Sequence, residues 1–413
     1  MPSSLLIRNA VFIDVEAGVA RPGEPIAIRK GCFEAPVASR YDNEIDLAGL
    51  FVCPGLIDAH VHLFLDGGAA PLETFLAADE TARMRVAAAN AALAIESGIT
   101  TVRDCGGPGD LVFRFARAIE RGEIAGPRIL AAGSPLTRPA GHCHFFGIEV
   151  ATPADAARAV ELQARHGAAF VKLIASGGGL TPGTSPAEAD LPAEIMREAV
   201  RAARANGLQV AVHCHATESI RRAIEAGADT IEHASFTSPD GSPGFDPETA
   251  ASIRDRGIVV SPTAISGVRI ARTIRETGSR NGRDHNAVAR LEARREHIAR
   301  FRDAGVTLIA GSDCGVARTA FDSLADELGE FVRAGMSCAD ALRAATCDAA
   351  RCLKQESIGQ IRVGFAADLI VLRGNPLIDM IYLRSPLMVI RNGVILCDRR
   401  APAERTTLEG LVL

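Results

Sequence analysis

A pair of histidines with one residue between them is the first feature of this sequence that could do chemistry. His60 and His62 lie in the apolar run PGLIDAHVHLF, where a polar side chain without a partner is costly to bury. If this run is a β-strand, residues two apart project from one face, and both imidazoles can converge on one ion. The pair therefore predicts a metal site.

Further side chains that could bind metal follow other apolar runs. They are Lys172 in FVKLIASGGG, His213 and His215 in VAVHCHA, His233 in TIEHASF and Asp313 in LIAGSDCG. Histidine and carboxylate ligands suit Zn²⁺, Mn²⁺, Fe or Co, and a catalytic metal site keeps one position open for water. Together these residues predict a catalytic metal centre.

Lys172 does not fit such a ligand set as an ammonium, because a cation repels metal ions. A lysine buried among cations is expected to be neutral, and a neutral amine can take up CO2 to become an anionic carbamate. We therefore predict that a carboxylated Lys172 bridges two divalent metal ions, with zinc as the expected metal. The alternative is an unmodified lysine that forms a salt bridge at a strand end.

These side chains need a scaffold that brings several strand ends together. Residues 50 to about 350 alternate short apolar runs with helical stretches. The helical stretches repeatedly end in glycine, as at Gly98, Gly207, Gly227, Gly257 and Gly305. Eight strand-like runs, each followed by a helix, predict an α/β fold, a (β/α)8 TIM barrel over residues 53–356, whose active site lies at the C-terminal strand ends. An open doubly wound sheet is the alternative.

The two ends of the chain differ from this alternating region. Residues 1–52 and 357–413 read as short strands separated by turns. Because chain termini often lie close together, we predict that both ends combine into one small β-sandwich domain.

The composition limits the partners that the protein can have. The net charge of −5 argues against nucleic-acid binding. The sequence contains no window of about 18 uninterrupted apolar residues, so we expect no membrane span. The ten cysteines include no CxxC pair, which indicates a reducing compartment, and we expect a cytoplasmic protein. We also expect a small-molecule substrate and a homo-oligomer. His166, His285 and His297 lie in charged helical stretches and are predicted to face water.

Taken together, the motifs resemble the amidohydrolase superfamily over nearly the whole chain. PGLIDAHVHL resembles its strand-1 motif, VKLIASGGG its carbamylated-lysine strand, and VHCHA, IEHAS and AGSDCG its strands 5, 6 and 8. The tail ALRAATCDAARCLKQESIGQIRVGFAADLIVLRGNPL resembles the last helix and the return to the small β domain. The resemblance is strongest to the imidazolonepropionase-related branch, which includes Xaa-Pro dipeptidases (prolidases) and ochratoxinase-like amidases.

The resemblance implies a role for each candidate residue. It assigns the more buried metal ion to His60, His62 and Asp313, and the second ion to His213 and His233, with carboxylated Lys172 as the bridge. His215 would contact the substrate, although a role as a metal ligand stays open. The family usually carries a histidine soon after the strand-8 aspartate, where this sequence has CGVARTAF.

Three further residues are predicted to contact the substrate. His142, in PAGHCHFFG, would polarise the scissile carbonyl or hold the oxyanion; a loop histidine bonded to the backbone is the alternative. Gly178 would allow a close approach of the backbone to the site. Arg318 could bind a substrate carboxylate with two hydrogen bonds, or form a surface salt bridge. His144, in the same loop as His142, is not expected to bind metal.

The predicted activity is hydrolysis of an amide bond in a dipeptide or an N-acyl amino acid by a binuclear metal enzyme. A hydroxide that bridges the metals would attack the carbonyl, and Asp313 would pass its proton to the departing amine. A lactone, carbamate or organophosphate hydrolase with the same metals is the first alternative. A mononuclear deaminase would normally lack Lys172 and use His-x-x-Glu on strand 5, whereas Glu218 stands five residues after His213. A catalytically dead scaffold would typically have lost ligands that are all present here.

Overall fold

The computed structural model describes residues 4–37, 40–277 and 287–400, which form strands at both ends and alternating strands and helices between them. The strands are β1 (Leu5–Arg8), β2 (Val11–Asp14), β3 (Val19–Pro22), β4 (Ile26–Arg29), β5 (Cys32–Glu34), β6 (Asn43–Asp46), β7 (Phe51–Pro54), β8 (Leu56–Val61), β9 (Ile99–Asp104), β10 (Arg128–Ala131), β11 (Leu136–Thr137), β12 (Ile148–Glu149), β13 (Phe170–Ile174), β14 (Gln209–Ala216), β15 (Thr230–Thr237), β16 (Val259–Ser261), β17 (Leu369–Leu372), β18 (Met388–Arg391) and β19 (Val394–Asp398). The α-helices are α1 (Pro71–Ala77), α2 (Glu80–Glu96), α3 (Asp110–Glu120), α4 (Pro153–His166), α5 (Ala193–Ala205), α6 (Thr217–Ala226), α7 (Pro247–Asp255), α8 (Ala264–Thr277), α9 (Ala287–Asp303), α10 (Leu324–Arg333), α11 (Cys338–Ala344) and α12 (Cys347–Cys352). A short 3-10 helix spans Met380–Arg384.

The central region is built from parallel strands. One sheet has the order β10-β9-β8 and the other has the order β12-β11-β13-β14-β15-β16. Every residue of β8, β9, β13 and β15 is buried, as expected for parallel strands covered by helices. The predicted alternation of strand and helix is confirmed, and the C-terminal ends of these strands point the same way.

The two parallel sheets are linked where the third strand-like run is divided into β10 and β11. β10 pairs with β9, whereas β11 pairs with β13. The backbone N–H of Ala169 also donates to the carbonyl of Ala131, at 2.8 Å, which ties the start of β13 to β10. The chain between β11 and β12 forms the loop that carries His142.

The eighth predicted strand, VTLIAGSDCG, is only partly confirmed. It makes isolated parallel bridges, Val260 with Leu308 and Val61 with Cys314, which connect it to β16 and to β8. The ladder is interrupted because Asp58 replaces a backbone partner: its carboxylate accepts the backbone N–H of Ser312 at 3.0 Å and the Ser312 hydroxyl at 2.5 Å. This contact still joins the segment to β8, next to His60.

Helix ends follow the predicted capping signals. α4 begins with a capping box between Thr152 and Asp155, and it ends at Gly167 in the left-handed conformation. The predicted glycine stops all have positive φ, from 65° to 87°: Gly98, Gly207, Gly227, Gly257 and Gly305. At Gly227 the left-handed turn ends α6 only three residues before β15 begins, which keeps this connection short.

The chain ends form two further sheets, with the orders β5-β4-β1-β6 and β19-β18-β17-β7-β2-β3. The second sheet joins the two ends directly, because β17 pairs antiparallel with β7 and β7 pairs with β2. The two ends of the chain therefore share a sheet, while the β-sandwich domain stays a prediction. A hydrophobic cluster is common to both sheets and includes Ile7, Ile28, Phe33, Val371 and Met388.

Three histidines outside the strand ends were predicted to face water, and one of these predictions is wrong. His297 is buried against Phe236 and Phe245, because the inner face of α9 is packed with aromatic rings. His166 is exposed as predicted, and His285 lies outside the described residues. No helix in the described ranges is both long and apolar enough to cross a membrane.

Asp368 joins the terminal sheet to the parallel strands. Its carboxylate lies 2.6 Å from Nη1 of Arg128, on β10, and accepts the backbone N–H of Asn392 at 2.7 Å. Nη2 of the same arginine donates to the side chain of Asn392, at 2.7 Å. The aspartate is buried, so removing it leaves a partly buried guanidinium and a backbone N–H without their acceptor.

We predict that Asp368→Ala lowers the free energy of unfolding in urea by about 2–3 kcal/mol, because it leaves a partly buried guanidinium and a backbone N–H without their acceptor. Asp398→Ala, in the same sheet but in the exposed pair with Arg400, should cost no more than about 1 kcal/mol. Equal effects of the two substitutions would show that Asp368 does not hold the sheet in place.

Candidate active site

The C-terminal end of β8 presents the first group of metal-binding side chains. Nε2 of His60 and Nε2 of His62 each lie 3.5 Å from Oδ1 of Asp313. All three residues are buried, and their ligand atoms lie within 4.8 Å of one another. The structure thus brings together the three residues predicted for the more buried metal ion.

The other ring nitrogen of each of these histidines is bonded to protein. Nδ1 of His60 lies 2.8 Å from Oε2 of Glu232, and Nδ1 of His62 lies 2.9 Å from the carbonyl oxygen of Gly106. Because both oxygens accept, each Nδ1 carries the hydrogen, and each Nε2 keeps a lone pair that faces Asp313. Burial lowers the pKa of both imidazoles, to about 4 for His62, so both are neutral. A metal cation placed between these lone pairs and the Asp313 oxygen would satisfy all three.

A second group lies at the ends of β14 and β15. The ligand atoms of His213, His215 and His233 are within 4.8 Å of one another. Nε2 of His233 lies 2.9 Å from Nδ1 of His213, and the ring centroids of His60 and His233 are 5.0 Å apart. The two groups are therefore neighbours. His215, predicted to contact substrate, lies in the same group as the two predicted ligands, which keeps a ligand role open for it.

Neighbouring side chains also fix the rings of this second group. Nδ1 of His233 lies 2.6 Å from the hydroxyl of Thr263, and Nδ1 of His215 lies 2.9 Å from the hydroxyl of Ser235. Nε2 of His213 faces the carbonyl of Gly177 at 3.3 Å. Burial lowers the pKa of these histidines well below that of free imidazole. Neutral, oriented imidazoles are the form that binds metal ions.

Lys172 lies on β13 beside both groups. It is 2% exposed, and its Nζ has no hydrogen-bond partner among the described residues. Burial and then the charge of Lys172 lower the pKa of His60, so the amine lies within electrostatic range of the first group. A buried amine without a partner is costly. This orphaned Nζ fits the predicted carboxylated residue, whose oxygens would turn an unpaired donor into a ligand.

Asp313 is buried near Arg294 and Lys172. Burial raises the pKa of its carboxyl to about 7, while the charges of Arg294 and Lys172 oppose that rise. Oδ2 accepts a hydrogen bond from the hydroxyl of Ser266 at 3.5 Å, on the side away from His60 and His62. The carboxylate therefore has one oxygen at the first group and one at the start of α8.

His142 lies in the loop between β11 and β12, as predicted, and faces the second group. Its ring centroid is 5.0 Å from that of His213, and its Nδ1 is buried without a hydrogen-bond partner among the described residues. A Cβ placed on Gly178 would lie 2.5 Å from Nε2 of His142. The backbone at Gly178 therefore lies close to the His142 ring, and its predicted contact with the substrate stays a prediction.

Two other predicted residues lie further from the metal-binding groups. Arg318 is exposed, in a left-handed turn with φ of 59°, and its backbone N–H donates to the carbonyl of Gly68 at 2.8 Å. Nδ1 of His144 lies 2.9 Å from the carbonyl of Gly141, and His144 belongs to neither group. The structure does not bring these side chains to the cluster.

Sequence reasoning missed Glu232, which lies between His60 and a buried arginine. Its Oε1 is 2.5 Å from Nη2 of Arg103, whose Nε donates to the carbonyl of Ala59 at 2.6 Å. Burial opposes ionisation of Glu232, but the charges of Arg103 and Lys172 outweigh it and lower the pKa of the carboxyl. The signal was present in the sequence, since a glutamate in an apolar strand needs a partner.

The backbone explains how neighbouring residues of β15 reach the same cluster. A regular strand turns adjacent side chains to opposite faces. His233 and Ala234 instead have φ of 67° and 44°, which interrupts the pleat after Glu232. Thr263 and Asp313 are also left-handed, with φ of 49° and 60°. Such backbone is strained for residues with a Cβ, and its concentration here is typical of functional sites.

Comparison with known proteins identifies the class to which this fold and site belong. The profile of the amidohydrolase family matches residues 51–396, and the chain belongs to this family. It is therefore a hydrolase of carbon–nitrogen bonds. The resemblance predicted from the motifs is confirmed.

Individual relatives agree with this assignment. An uncharacterised protein of Mycobacterium tuberculosis is 30% identical over 356 residues, which cover 84% of this chain and 85% of that protein. Ochratoxinase of Aspergillus niger is 29% identical over 329 residues, which cover 72% of this chain and 64% of that enzyme. The crystal structure of a Xaa-Pro dipeptidase with bound methionine in its active site has a TM-score of 0.84 and 27% identity, covering 95% of this chain and 99% of the other.

The position of Glu232 leads to a prediction about metal binding. Glu232→Gln removes the charge that orients His60 and holds the hydrogen on its Nδ1, so we expect Zn²⁺ affinity to fall about 10- to 100-fold in a chelator competition assay. The matched control is Glu330→Gln, a buried glutamate on α10 that pairs with Arg333 away from the cluster. Unchanged affinity in Glu232→Gln would show that this carboxylate does not tune the site.

Proposed function

We propose that the chain is a binuclear metal-dependent amidohydrolase that cleaves the amide bond of a dipeptide or an N-acyl amino acid. The observation that carries the proposal is that two groups of ligand atoms meet beside the unpaired Nζ of Lys172. The groups are His60, His62 and Asp313, and His213, His215 and His233.

The donor set fits two divalent ions better than one. The six side chains offer neutral imidazoles and one carboxylate, which is the chemistry that zinc prefers. Each group supplies too few anions to balance its own ion, and a carboxylated Lys172 between the groups would supply one further negative charge. When bound, two such ions ionise a water molecule near neutral pH and polarise the substrate carbonyl.

The protein side chains then have separate tasks. Asp313 lies 3.5 Å from Nε2 of both His60 and His62, where it can take a proton from the attacking water and deliver it to the departing amine. In the tautomer that carries hydrogen on Nδ1, His142 can donate from that nitrogen to the carbonyl oxygen as negative charge develops there. The neighbouring Gly178 leaves room for that ring.

The comparisons support a peptide-type substrate, because the Xaa-Pro dipeptidase superposes over nearly the full length of both chains. A lactone, carbamate or organophosphate hydrolase would use the same ions, and no contact in the described residues favours it. The mononuclear deaminase is disfavoured, since Glu218 is exposed on α6 and pairs with Arg222 at 3.0 Å.

We further propose that the parallel strands close into a (β/α)8 barrel over residues 53–356. The links of β10 and β11 to β13, and of the segment around Leu308 to β8 and β16, support closure. Residues 1–52 and 357–413 would form the β-sandwich domain, supported by the shared cluster of the two terminal sheets. A cytoplasmic homo-oligomer that acts on small molecules and binds neither nucleic acid nor membranes also remains our proposal.

The metal content tests the role of Lys172. Protein purified without chelator should contain about two divalent ions per chain, and mass spectrometry under mild conditions should show one carboxyl group added to Lys172. Lys172→Ala should lose at least one ion and all measurable turnover. Lys354→Ala, which removes an exposed lysine, should keep both ions. A wild-type protein that binds no metal would end the proposal.

Turnover tests the proton transfer by Asp313. Zinc-loaded wild-type protein should hydrolyse members of a panel of dipeptides and N-acyl amino acids faster than lactones or phosphotriesters. Asp313→Asn should lower kcat about 10²- to 10⁴-fold, the usual loss of a general acid–base group. The exposed Asp303→Asn serves as control. Turnover retained in Asp313→Asn would remove this residue from the proton transfer.

A further inference from the structure

Arg294, on α9, is a buried cation that has no carboxylate partner among the described residues. It is 8% exposed and forms no ion pair within the described ranges, and its Nε has no hydrogen-bond partner there. Its Nη1 donates to the carbonyl of Thr263 at 3.1 Å and to the hydroxyl of Ser266 at 3.2 Å. Guanidinium groups are almost never buried unless they are paired, because the loss of hydration is costly.

The surrounding contacts place this guanidinium beside the metal-binding cluster. The hydroxyl of Ser266, which accepts from Arg294, donates to Asp313 at 3.5 Å. Thr263, whose carbonyl accepts from Arg294, holds Nδ1 of His233 through its hydroxyl. Burial and then the charge of Arg294 lower the pKa of His215. Ser266 therefore lies between Arg294 and the first donor group, and Thr263 lies between Arg294 and the second.

A purely structural role does not account for these contacts. An arginine that only tied α9 to α8 would be expected to use its donors on acceptors of those helices, yet Nε has none. Divalent ions at the cluster would also repel a second fixed cation at this distance. Asp313, which is linked to Arg294 through Ser266, offsets part of this repulsion, but its Oδ1 faces His60 and His62. A further anion at the guanidinium would therefore stabilise it.

The chemistry of the proposed reaction indicates which anion this is. Asp313 delivers a proton to the amine that leaves, and in a dipeptide or an N-acyl amino acid this amine nitrogen is two bonds from a carboxylate carbon. A receptor for that carboxylate must therefore lie within a few ångströms of Asp313. Arg294 meets this requirement, whereas Arg318, predicted from the sequence for the same task, is exposed.

We propose that the Arg294 guanidinium binds the free carboxylate of the substrate and selects amides whose leaving group is an α-amino acid. This inference rests on the proposed amide hydrolysis. The planar guanidinium can form two charge-assisted hydrogen bonds with a carboxylate, and Nε is one donor suited to that geometry.

Matched substrates test the proposal. Each N-acetyl amino acid hydrolysed by the wild type is compared with the corresponding N-acetyl amino alcohol, which keeps the scissile amide and replaces the carboxylate by hydroxymethyl. Arg294→Gln should lower kcat/KM for the acids about 10- to 100-fold, mainly through KM, and change that for the alcohols less than about threefold. Arg294→Lys should recover part of the loss, because the charge is kept without the planar fork.

Three controls make the result specific. Arg318→Gln tests the alternative carboxylate receptor, and Arg300→Gln removes an exposed arginine from the same helix. Metal content and melting temperature are measured for each variant, so that misfolding of Arg294→Gln is recognised, in which case Arg294→Lys decides. Equal losses on acids and alcohols, or a selective loss in Arg318→Gln instead, would overturn the proposal.

Binding measurements separate this inference from the proposed function. Calorimetry with zinc-loaded protein compares L-amino acids, the product side of the reaction, with the matching L-amino alcohols. The wild type should bind the acids more tightly, and Arg294→Gln should abolish that preference. If no amide is hydrolysed but the preference depends on Arg294, the proposed function fails and the carboxylate site stands. If amides are hydrolysed but no such preference exists, the carboxylate site fails alone.

Discussion

The contact on which the site depends most is the buried chain from Arg103 through Glu232 to His60. The Glu232 carboxylate lies 2.5 Å from Arg103 and 2.8 Å from His60, and none of these three residues is exposed by more than a few per cent. It joins three strands, β8, β9 and β15, because each contributes one member. It also determines which nitrogen of His60 carries the hydrogen, so the direction of the metal-binding lone pair depends on a residue that touches no reacting atom. The loss of any member would leave the others as uncompensated buried charges or donors.

The same strand ends hold a second constraint, which is backbone strain. His233, Thr263 and Asp313 are left-handed although each has a Cβ, and His233 and Thr263 are bonded to each other at 2.6 Å. The parallel strands bring the ends together, but regular pleating would turn some of these side chains away from the cluster. The left-handed backbone at these positions therefore turns toward the cluster side chains that a regular strand would turn away from it. The packing of the buried strands and the hydrogen bonds around Asp58 and Ser312 offset the strain.

How much the sequence could predict depends on whether a feature is set by neighbouring residues or by residues far apart in the chain. Strands, helices and the glycine stops are local patterns, and they were predicted well. The histidine groups and Lys172 were found because their residue types are improbable in apolar strands. Glu232 carries the same signal, a charged residue in an apolar strand, but its role was missed because its partner Arg103 lies on β9 and nothing local marks two distant charges as partners. The eighth strand was predicted as regular because its apolar pattern gives no sign that Asp58 would replace a backbone partner. Arg294 was missed because an arginine on a charged helix looks solvated until α9 is placed against α8.

The balance of charge connects these parts of the site. Glu232 is neutralised by Arg103, so it cannot also compensate metal ions. Asp313 and a carboxylated Lys172 are then the anions left among the donors, and two divalent ions would exceed them in charge even before Arg294 is counted. A centre with surplus positive charge in a site of low dielectric attracts an anionic substrate and binds it more strongly than a neutral one. The surplus also works in the direction of the reaction, since charge develops on the carbonyl oxygen during attack. The buried guanidinium of Arg294 adds to this positive surplus, which destabilises the site when no anion is bound. The same surplus favours the binding of an anionic substrate.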